Sequence, residues 1–175
     1  MNEVPVQVFS SYDRSDPAAA KAEHPRNPYT GVVTLIEDRG GSRDGRVLLV
    51  HRRARAHRGA LWCLPGGYIE YGEDFLTAGR REVLEETGLS VRIASILSVV
   101  SNFFEPGRHT LVVVLLGRVT ADSPPARAGD DADGLEWFPL EGPLPEMAFE
   151  ADRHIIGRYA ATRLSGTPVD PRYAG

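Results

Sequence analysis

The chain has 175 residues, enough for one globular domain with a substantial hydrophobic core. Its formal net charge is −4, so its overall electrostatic field does not attract nucleic acid or an anionic membrane, and we predict neither as a partner. The single cysteine, Cys63, excludes an internal disulfide and a zinc site built from cysteines. A polyanionic substrate would therefore be held by a local group of basic residues or by bound cations.

The sequence also lacks the hydrophobic segments that direct proteins to or through a membrane. No apolar run approaches the roughly 18 residues of a transmembrane helix. The first residues, Met1 to Gln7, lack the basic start and apolar centre of a signal peptide. We therefore expect a cytoplasmic protein of bacterial type.

The first half of the chain predicts an arm followed by short strands. Residues 1–27 have little periodicity and are predicted to form an N-terminal arm. The β-rich runs 31–36 and 46–50 flank a glycine-rich turn and predict two paired strands, and a third short strand is expected at 61–64. The sequence Pro65-Gly66-Gly67 then ends this third strand.

The rest of the chain, after Gly67, predicts two helices and three further strands. A helix is predicted at 74–87 because Gly88 is a typical C-terminal stop. Residues 121–134 are rich in proline, alanine, glycine and aspartate, which predicts a mobile surface loop. The remaining predicted elements are strands at 91–101, 110–120 and 135–138, a closing helix at 149–164 and a tail at 166–175. Together these elements indicate one α/β domain over residues 28–165, with helices packed against a mixed sheet.

The first predicted helix gathers acidic side chains on one face. At about 100° per residue, Glu82, Glu85 and Glu86 fall within one arc, at positions i, i+3 and i+4. Ala78 and Gly79 are expected one turn away on the same face, where small residues would leave space over the glutamates. The residues expected to face the core are Leu76, Val83, Leu84 and Thr87.

The charges on this acidic face need compensation, because carboxylates this close repel one another and destabilise a helix. Solvated glutamates on a helix surface are common, but a divalent cation would also offset these charges. Oxygen ligands suit a hard cation, Mg²⁺ with Mn²⁺ as a substitute, that binds substrate phosphates as well. Arg81 is spaced to pair with Glu85 at i+4, or to hold another acidic group in place.

Nine residues at fixed spacing distinguish this segment from a chance cluster. From average residue usage, such a pattern should occur on the order of once in 10⁹ starting positions. It matches the Nudix box, G-x5-E-x7-R-E-U-x-E-E-x-G-U with U apolar, at every specified position. The matching residues are Gly67, Glu73, Arg81, Glu82, Val83, Glu85, Glu86, Gly88 and Leu89. The chain therefore resembles the Nudix hydrolase family, over about residues 28–164.

The resemblance implies an α/β/α sandwich with a mixed β-sheet between helices. It also implies a hydrolase in which water attacks phosphorus in a nucleoside diphosphate linked to another group, with bound cations that neutralise the pyrophosphate. Glu82, Glu86 and Arg81 would be catalytic. Together with Glu73, Arg81 would also support the box helix and the loop before it, residues 67–73, which we call the box loop. The implied metal ligands are the backbone carbonyl of Gly66 and the carboxylates of Glu82, Glu85 and Glu86.

The identity of the general base is open between two groups of residues. Family members use either a box glutamate, here Glu82, or an acid from a later loop. We take Glu82 as the preferred assignment. The later candidates, each equally well explained as a solvated acid, are Asp130, Asp131, Asp133 and Glu136.

Substrate-binding residues are expected outside the box. Arg52 and Arg53, in a basic stretch just ahead of it, would hold a phosphate or ribose, although a solvated loop explains them equally well. Phe104, between two predicted strands, would stack a base, although core packing is the simpler interpretation. The expected substrate is a small nucleotide derivative, with ADP-ribose or a related nucleotide sugar as the preferred choice.

Two other functions and an oligomeric state are further hypotheses. A non-catalytic, nucleotide-sensing module would be expected to have a damaged box, and an RNA 5′-end pyrophosphohydrolase would be expected to have a broad basic surface. The complete box and the acidic balance argue against these two functions. A homodimer formed through the N-terminal arm and the edge strands is a separate hypothesis, which light scattering with and without residues 1–26 would test.

Overall fold

The computed structural model describes residues 27–38, 45–53, 61–105, 108–129 and 132–169. The side chains of residues 103–105 and 108 lie outside this description, as does nearly all of the predicted N-terminal arm. Within the described ranges the chain forms eight strands and two helices. In chain order they are β1 (Tyr29–Asp38), β2 (Arg46–Arg52), β3 (Leu61–Cys63), β4 (Gly66–Tyr68), α1 (Phe75–Thr87), β5 (Val91–Glu105), β6 (Arg108–Val119), β7 (Ala132–Pro139), α2 (Glu150–Thr162) and β8 (Thr167–Pro168).

Strand β1 is the centre of the sheet, and its β-branched and aliphatic residues favour an extended backbone. It pairs in parallel with β6 over eight residue pairs, from Tyr29–Thr110 to Ile36–Gly117. Its other edge pairs antiparallel, first with β4 and then with β2. The sheet order is β3-β2-β1-β6-β5-β8, with β4 also on β1 and β7 also on β2. The predicted mixed sheet is therefore confirmed.

The two helices cover opposite faces of this sheet. Val32 and Ile36 of β1 belong to the core cluster that contains Val83 of α1. Leu35, which points to the other face, belongs to the cluster that contains Ile156 of α2. Successive side chains of a strand point to opposite faces, so this division confirms the α/β/α sandwich. Neither helix in the described ranges is long and apolar enough to cross a membrane.

Helix α1 begins and ends where its local sequence predicts. The carboxylate of Asp74 accepts hydrogen bonds from the N–H groups of Leu76 at 2.8 Å and Thr77 at 3.0 Å, which caps the first turn. Gly88 ends the helix with φ 68°, in the left-handed region that favours glycine. The helix predicted at 74–87 is thus confirmed.

Two predicted boundaries differ from the structure. Strand β7 begins at Ala132, before the predicted start at residue 135, because its first residue pairs with Arg52 of β2. Thr167 and Pro168, in the predicted C-terminal tail, form β8 by pairing with β5. Backbone hydrogen bonds to distant strands set both boundaries, and the local sequence carries no signal for such bonds.

Two predictions about the faces of α1 are wrong. Ala78 and Gly79 do not leave open space over the glutamates, since both are buried against the sheet. A Cβ on Gly79 would lie 2.4 Å from Cδ1 of Leu115, so the absence of a side chain allows α1 to approach β6 closely. Leu84, predicted to face the core, is 52% exposed because it lies on the outer side of the helix.

Glycine-to-alanine changes in the two helices test this close approach. We expect Gly79→Ala to lower the free energy of unfolding by about 1 kcal/mol, because overpacking costs about 1–3 kcal/mol and outweighs a helix-propensity gain of about 1 kcal/mol. Gly157→Ala in α2, where nothing lies within 4 Å of the new Cβ, should stabilise the protein by about 1 kcal/mol. Urea unfolding followed by circular dichroism measures both changes. Equal stabilisation by the two variants would contradict the close contact of α1 with β6.

Candidate active site

Two glycines in the short strand β4 lie close to β1 and to a box glutamate. In β4, Gly66 and Gly67 pair with Val33 and Val32 of β1. A Cβ at Gly66 would lie 2.2 Å from the carbonyl oxygen of Val32, and a Cβ at Gly67 would lie 2.4 Å from Oε1 of Glu82. The backbone of β1 cannot give way, so position 66 requires glycine, whereas a side chain at position 67 would displace the Glu82 carboxylate from its place over β4.

Arg81 is the centre of a network of hydrogen bonds and ion pairs that holds the box loop on α1. Its Nε and Nη2 donate to the two carboxylate oxygens of Glu73, each at 2.9 Å. Nη2 also donates to the carbonyl of Tyr68 at 3.0 Å, and Nη1 donates to Glu82 at 2.8 Å and Glu85 at 3.2 Å. Hydrogen bonding from Arg81 lowers the pKa of Glu73. One guanidinium therefore orients three acidic residues, and the expected contact between Arg81 and Glu85 is present.

The three box glutamates have different surroundings on α1. The side chain of Glu82 is 14% exposed, whereas that of Glu85 is 58% exposed. Glu86 accepts a hydrogen bond through Oε2 from the N–H of Gly66 at 2.9 Å. Burial raises the pKa of Glu82 above its ordinary value, although hydrogen bonds from Arg81 oppose this rise. The surroundings of Glu82 therefore favour its uptake of a proton.

The described residues contain no group of three acidic, histidine or cysteine side chains already arranged to hold a metal ion. Glu82 and Glu85 are directed toward Arg81, and Glu86 is directed toward the amide of Gly66. The chemistry of these groups nevertheless fits a hard divalent cation, because carboxylates and a neighbouring backbone carbonyl are all oxygen donors. The helix backbone already places the three glutamates as neighbours on one face, at i, i+3 and i+4, as a shared cation would require.

The segment that follows β6 closes the C-terminal end of α1. The N–H of Arg127 donates to the carbonyl of Thr87 at 2.8 Å, and the N–H of Gly129 donates to the carbonyl of Glu86 at 3.0 Å. These bonds satisfy carbonyls that the end of a helix leaves unpaired. A Cβ at Gly129 would lie 1.9 Å from the carbonyl oxygen of Glu85, so the contact requires glycine. The sequence predicted a mobile loop here and did not reveal that it docks on the box helix.

The acidic candidates outside the box are not all in one place. Asp130 and Asp131 lie outside the described residues. Asp133 pairs with Arg53, with 3.0 Å between Oδ1 and Nε, and both side chains are largely exposed. Glu136 lies further along β7, where it lines an open cavity of about 620 Å³. Asp133 is thus the described candidate that contacts a predicted substrate-binding arginine.

Of the three predicted substrate-binding residues, the structure describes the side chains of Arg52 and Arg53. The guanidinium carbon of Arg52 lies 5.7 Å from the centre of the Phe149 ring, at the start of α2, within the range of a cation–π contact. Arg53 is exposed and pairs with Asp133 of β7, as noted above. The side chain of Phe104 lies outside the described residues. The structure therefore places Arg52 beside α2 and Arg53 beside β7, and both elements are distant in sequence from the arginines.

A buried acid on α2 was not identified by the sequence pattern. Asp152 is 3% exposed, and its carboxylate accepts a hydrogen bond from the N–H of Leu64 at 3.0 Å. Burial raises the pKa of Asp152 to about 6, against the opposing effects of Leu64 and Arg52. Burial, and then the charge of Asp152, raises the pKa of Cys63 to about 12, so this thiol is not a nucleophile at neutral pH. An aspartate in the first turn of a helix is ordinary, so the local sequence does not single it out.

Known proteins share this fold and this motif. The family model of the NUDIX domain matches residues 25–159. An ADP-ribose pyrophosphatase of Methanocaldococcus jannaschii is 35% identical over 130 residues, which are 74% of this chain and 72% of that protein. An RNA pyrophosphohydrolase of Caulobacter vibrioides is 30% identical over 163 residues, covering 83% of this chain and 77% of that protein. The crystal structure of a MutT NUDIX hydrolase from Burkholderia pseudomallei superposes with a TM-score of 0.63 at 32% identity, covering 75% of this chain and 97% of that one.

The chain belongs to the Nudix hydrolase family, because the family match spans the whole box and most of the described sandwich. It is a pyrophosphohydrolase, an enzyme that hydrolyses anhydride bonds between phosphates. Nudix hydrolases generally use divalent metal ions, which agrees with the oxygen donors that the box brings together.

The change Gly129→Ala tests whether the docked segment matters to the site. Because the new Cβ would meet a backbone oxygen at 1.9 Å, the segment has to leave the end of α1, and two hydrogen bonds are lost. We expect the free energy of unfolding to fall by about 2 kcal/mol and turnover to fall at least about tenfold. Urea unfolding and a product-release assay measure these effects.

The matched control for this variant is Gly134→Ala in β7. The nearest neighbour of a Cβ at Gly134 is Cβ of His51 at 4.0 Å, an ordinary contact, so stability and turnover should stay close to wild type. Wild-type stability in Gly129→Ala would contradict the docking of this segment on α1.

Proposed function

We propose that the protein is a Mg²⁺-dependent Nudix pyrophosphohydrolase, with Mn²⁺ as a substitute, that cleaves a small nucleotide derivative. The observation that carries this proposal is the position of Glu82 and Glu86 directly over the backbone of β4. We propose the carboxylates of Glu82, Glu85 and Glu86 and the carbonyl of Gly66 as the metal ligands.

Each box residue has a distinct role in this proposal. A cation bound at these ligands would neutralise the pyrophosphate and lower the pKa of the attacking water. Arg81 holds the box loop on α1 through its bidentate contact with Glu73 and adds positive charge beside the proposed metal site. Glu82, whose carboxylate lies over Gly67 beside the proposed ligands, is the proposed general base. Asp133 and Glu136, both on β7, are the alternatives among the described residues.

We further propose ADP-ribose or a related nucleotide sugar as the substrate. The Methanocaldococcus jannaschii relative named as an ADP-ribose pyrophosphatase supports this choice, since its 35% identity extends over 74% of the chain. Arg52, whose guanidinium lies over the ring of Phe149, is the proposed cation for a phosphate or ribose outside the box. Arg53 is an exposed cation paired with Asp133, and a guanidinium of this kind suits a phosphate.

Two other functions rank lower. The Caulobacter vibrioides relative named as an RNA pyrophosphohydrolase favours RNA 5′ ends as the second candidate. The net charge of −4 does not favour binding to an RNA backbone, so a small substrate is preferred. A nucleotide-sensing module without catalysis ranks last, because the chain keeps every residue of the box.

The domain limits are also a proposal. We propose that residues 28–165 form the catalytic domain, between an arm at 1–27 and a tail at 166–175. The family match at 25–159 supports the main limits. The pairing of Thr167 and Pro168 with β5 indicates that the first part of the tail contributes to the sheet.

The changes Glu82→Gln and Glu86→Gln test the proposed metal site. Each replaces a carboxylate by a neutral amide of the same size, so we expect turnover in Mg²⁺ to fall at least about 100-fold while the fold is kept. Circular dichroism checks the fold, and a product-release assay measures turnover. As a control, Glu141→Gln removes a glutamate that is 78% exposed and pairs with Arg163 outside the box, and it should keep wild-type turnover. Wild-type rates from both box variants would exclude this metal assignment.

A substrate panel tests the proposed substrate. It should contain ADP-ribose, other nucleotide sugars, NADH, dinucleoside polyphosphates, coenzyme A, oxidised nucleoside triphosphates and 5′-triphosphate RNA, each assayed with Mg²⁺. We expect the highest kcat/KM for ADP-ribose or another nucleotide sugar, with a nucleoside monophosphate as one product. Faster cleavage of the RNA would favour the second candidate. Tight nucleotide binding without any product would favour the sensing module.

A further inference from the structure

Asp152 joins α2 to the segment that leads into the box. Its carboxylate, which is 3% exposed, accepts a hydrogen bond from the backbone N–H of Leu64 at 3.0 Å. Leu64 is itself buried and lies two residues before Gly66. Asp152 therefore satisfies a buried amide that would otherwise need another acceptor.

Three consecutive residues at this point are each held by a different element. The N–H of Leu64 is held by α2, as described above. The carbonyl of Pro65 accepts a hydrogen bond from the N–H of Thr34 on β1 at 2.9 Å. The N–H of Gly66 donates to Glu86 on α1 at 2.9 Å. Proline fixes φ at residue 65 and restricts Leu64 to an extended backbone, so few backbone rotations are available to absorb a displacement of Leu64 before it reaches Gly66.

We propose that Asp152 is a positioning residue for the metal site. By holding the amide of Leu64, it sets the position of Gly66, whose carbonyl is a proposed ligand and whose N–H orients Glu86. This inference rests on the proposed function, because it assigns to Asp152 an effect on a cation bound at the box. Asp152 acts through the Leu64–Gly66 backbone and is not itself a ligand.

A second contact between α2 and the sheet provides a control that distinguishes a positioning role of Asp152 from general support of the helix. The hydroxyl of Tyr159 donates to the buried carboxylate of Glu37 on β1 at 2.5 Å. Arg118 and Arg163 donate to the same carboxylate. This contact also holds α2 on the sheet, but it does not involve the segment that leads into the box. Tyr159→Phe keeps the packed ring and removes the hydroxyl, so it is the matched control.

Mn²⁺ binding, measured by electron paramagnetic resonance without substrate, is the direct test. Asp152→Ala and Asp152→Ser leave no oxygen that reaches the amide of Leu64. We expect both to weaken Mn²⁺ binding at least about tenfold, as the loss of a partner behind metal ligands generally does. Asp152→Asn keeps an acceptor oxygen and should bind Mn²⁺ within about threefold of wild type. A role of Asp152 in substrate recognition alone would not change this measurement.

In the control variant, Tyr159→Phe, we expect a lower Tm and Mn²⁺ binding at the wild-type level. If Asp152→Ala does not fold, Asp152→Ser and Asp152→Asn decide the question. Wild-type Mn²⁺ affinity in Asp152→Ala or Asp152→Ser, or a tenfold loss in folded Asp152→Asn or in Tyr159→Phe, would overturn the inference. A wild-type protein that binds no Mn²⁺ would overturn it as well, whereas Mn²⁺ binding without hydrolysis of any substrate would contradict the proposed function alone.

Discussion

The absence of space around the backbone of Gly66 and Gly67 is the constraint on which the rest of the site depends. These residues lie between β1 and α1, where a Cβ at Gly66 would meet the backbone of β1 and a Cβ at Gly67 would displace the carboxylate of Glu82. Glu82 and Glu86 consequently lie over bare backbone and not over side chains. Carboxylates, a backbone amide and a backbone carbonyl thus share one small region. Oxygen donors in this proximity are what a hard cation requires.

The same region would be unstable without compensation of its negative charge. Arg81 supplies this compensation in the described arrangement through hydrogen bonds to Glu73, Glu82 and Glu85. Its contact with Glu73 is bidentate, which is the stronger geometry for a guanidinium and a carboxylate. In the proposed function a cation would draw Glu82 and Glu85 away from Arg81, and the bidentate contact would continue to hold the loop.

Local features of α1 could be predicted from the sequence because they depend on neighbouring residues. The cap at Asp74, the stop at Gly88 and the common face of the glutamates follow from helical geometry. The surroundings of each face could not be predicted in the same way. A helical projection gives the angle of each side chain, but it does not show which element covers that angle. For this reason the helical projection predicts open space beside Gly79, although this residue packs against β6.

The sequence by itself determined the reaction class and the common face of the box glutamates, because residues 67–89 are linked by short-range spacing along one loop and one helix. The tertiary structure decided the contacts that surround the box. The segment ending at Gly129 docks on α1, Asp133 pairs with Arg53 across 80 residues, and Asp152 binds the amide of Leu64 across 88 residues. Such contacts exist only after α2 and β7 have packed on the sheet, and no local pattern encodes the distances between them.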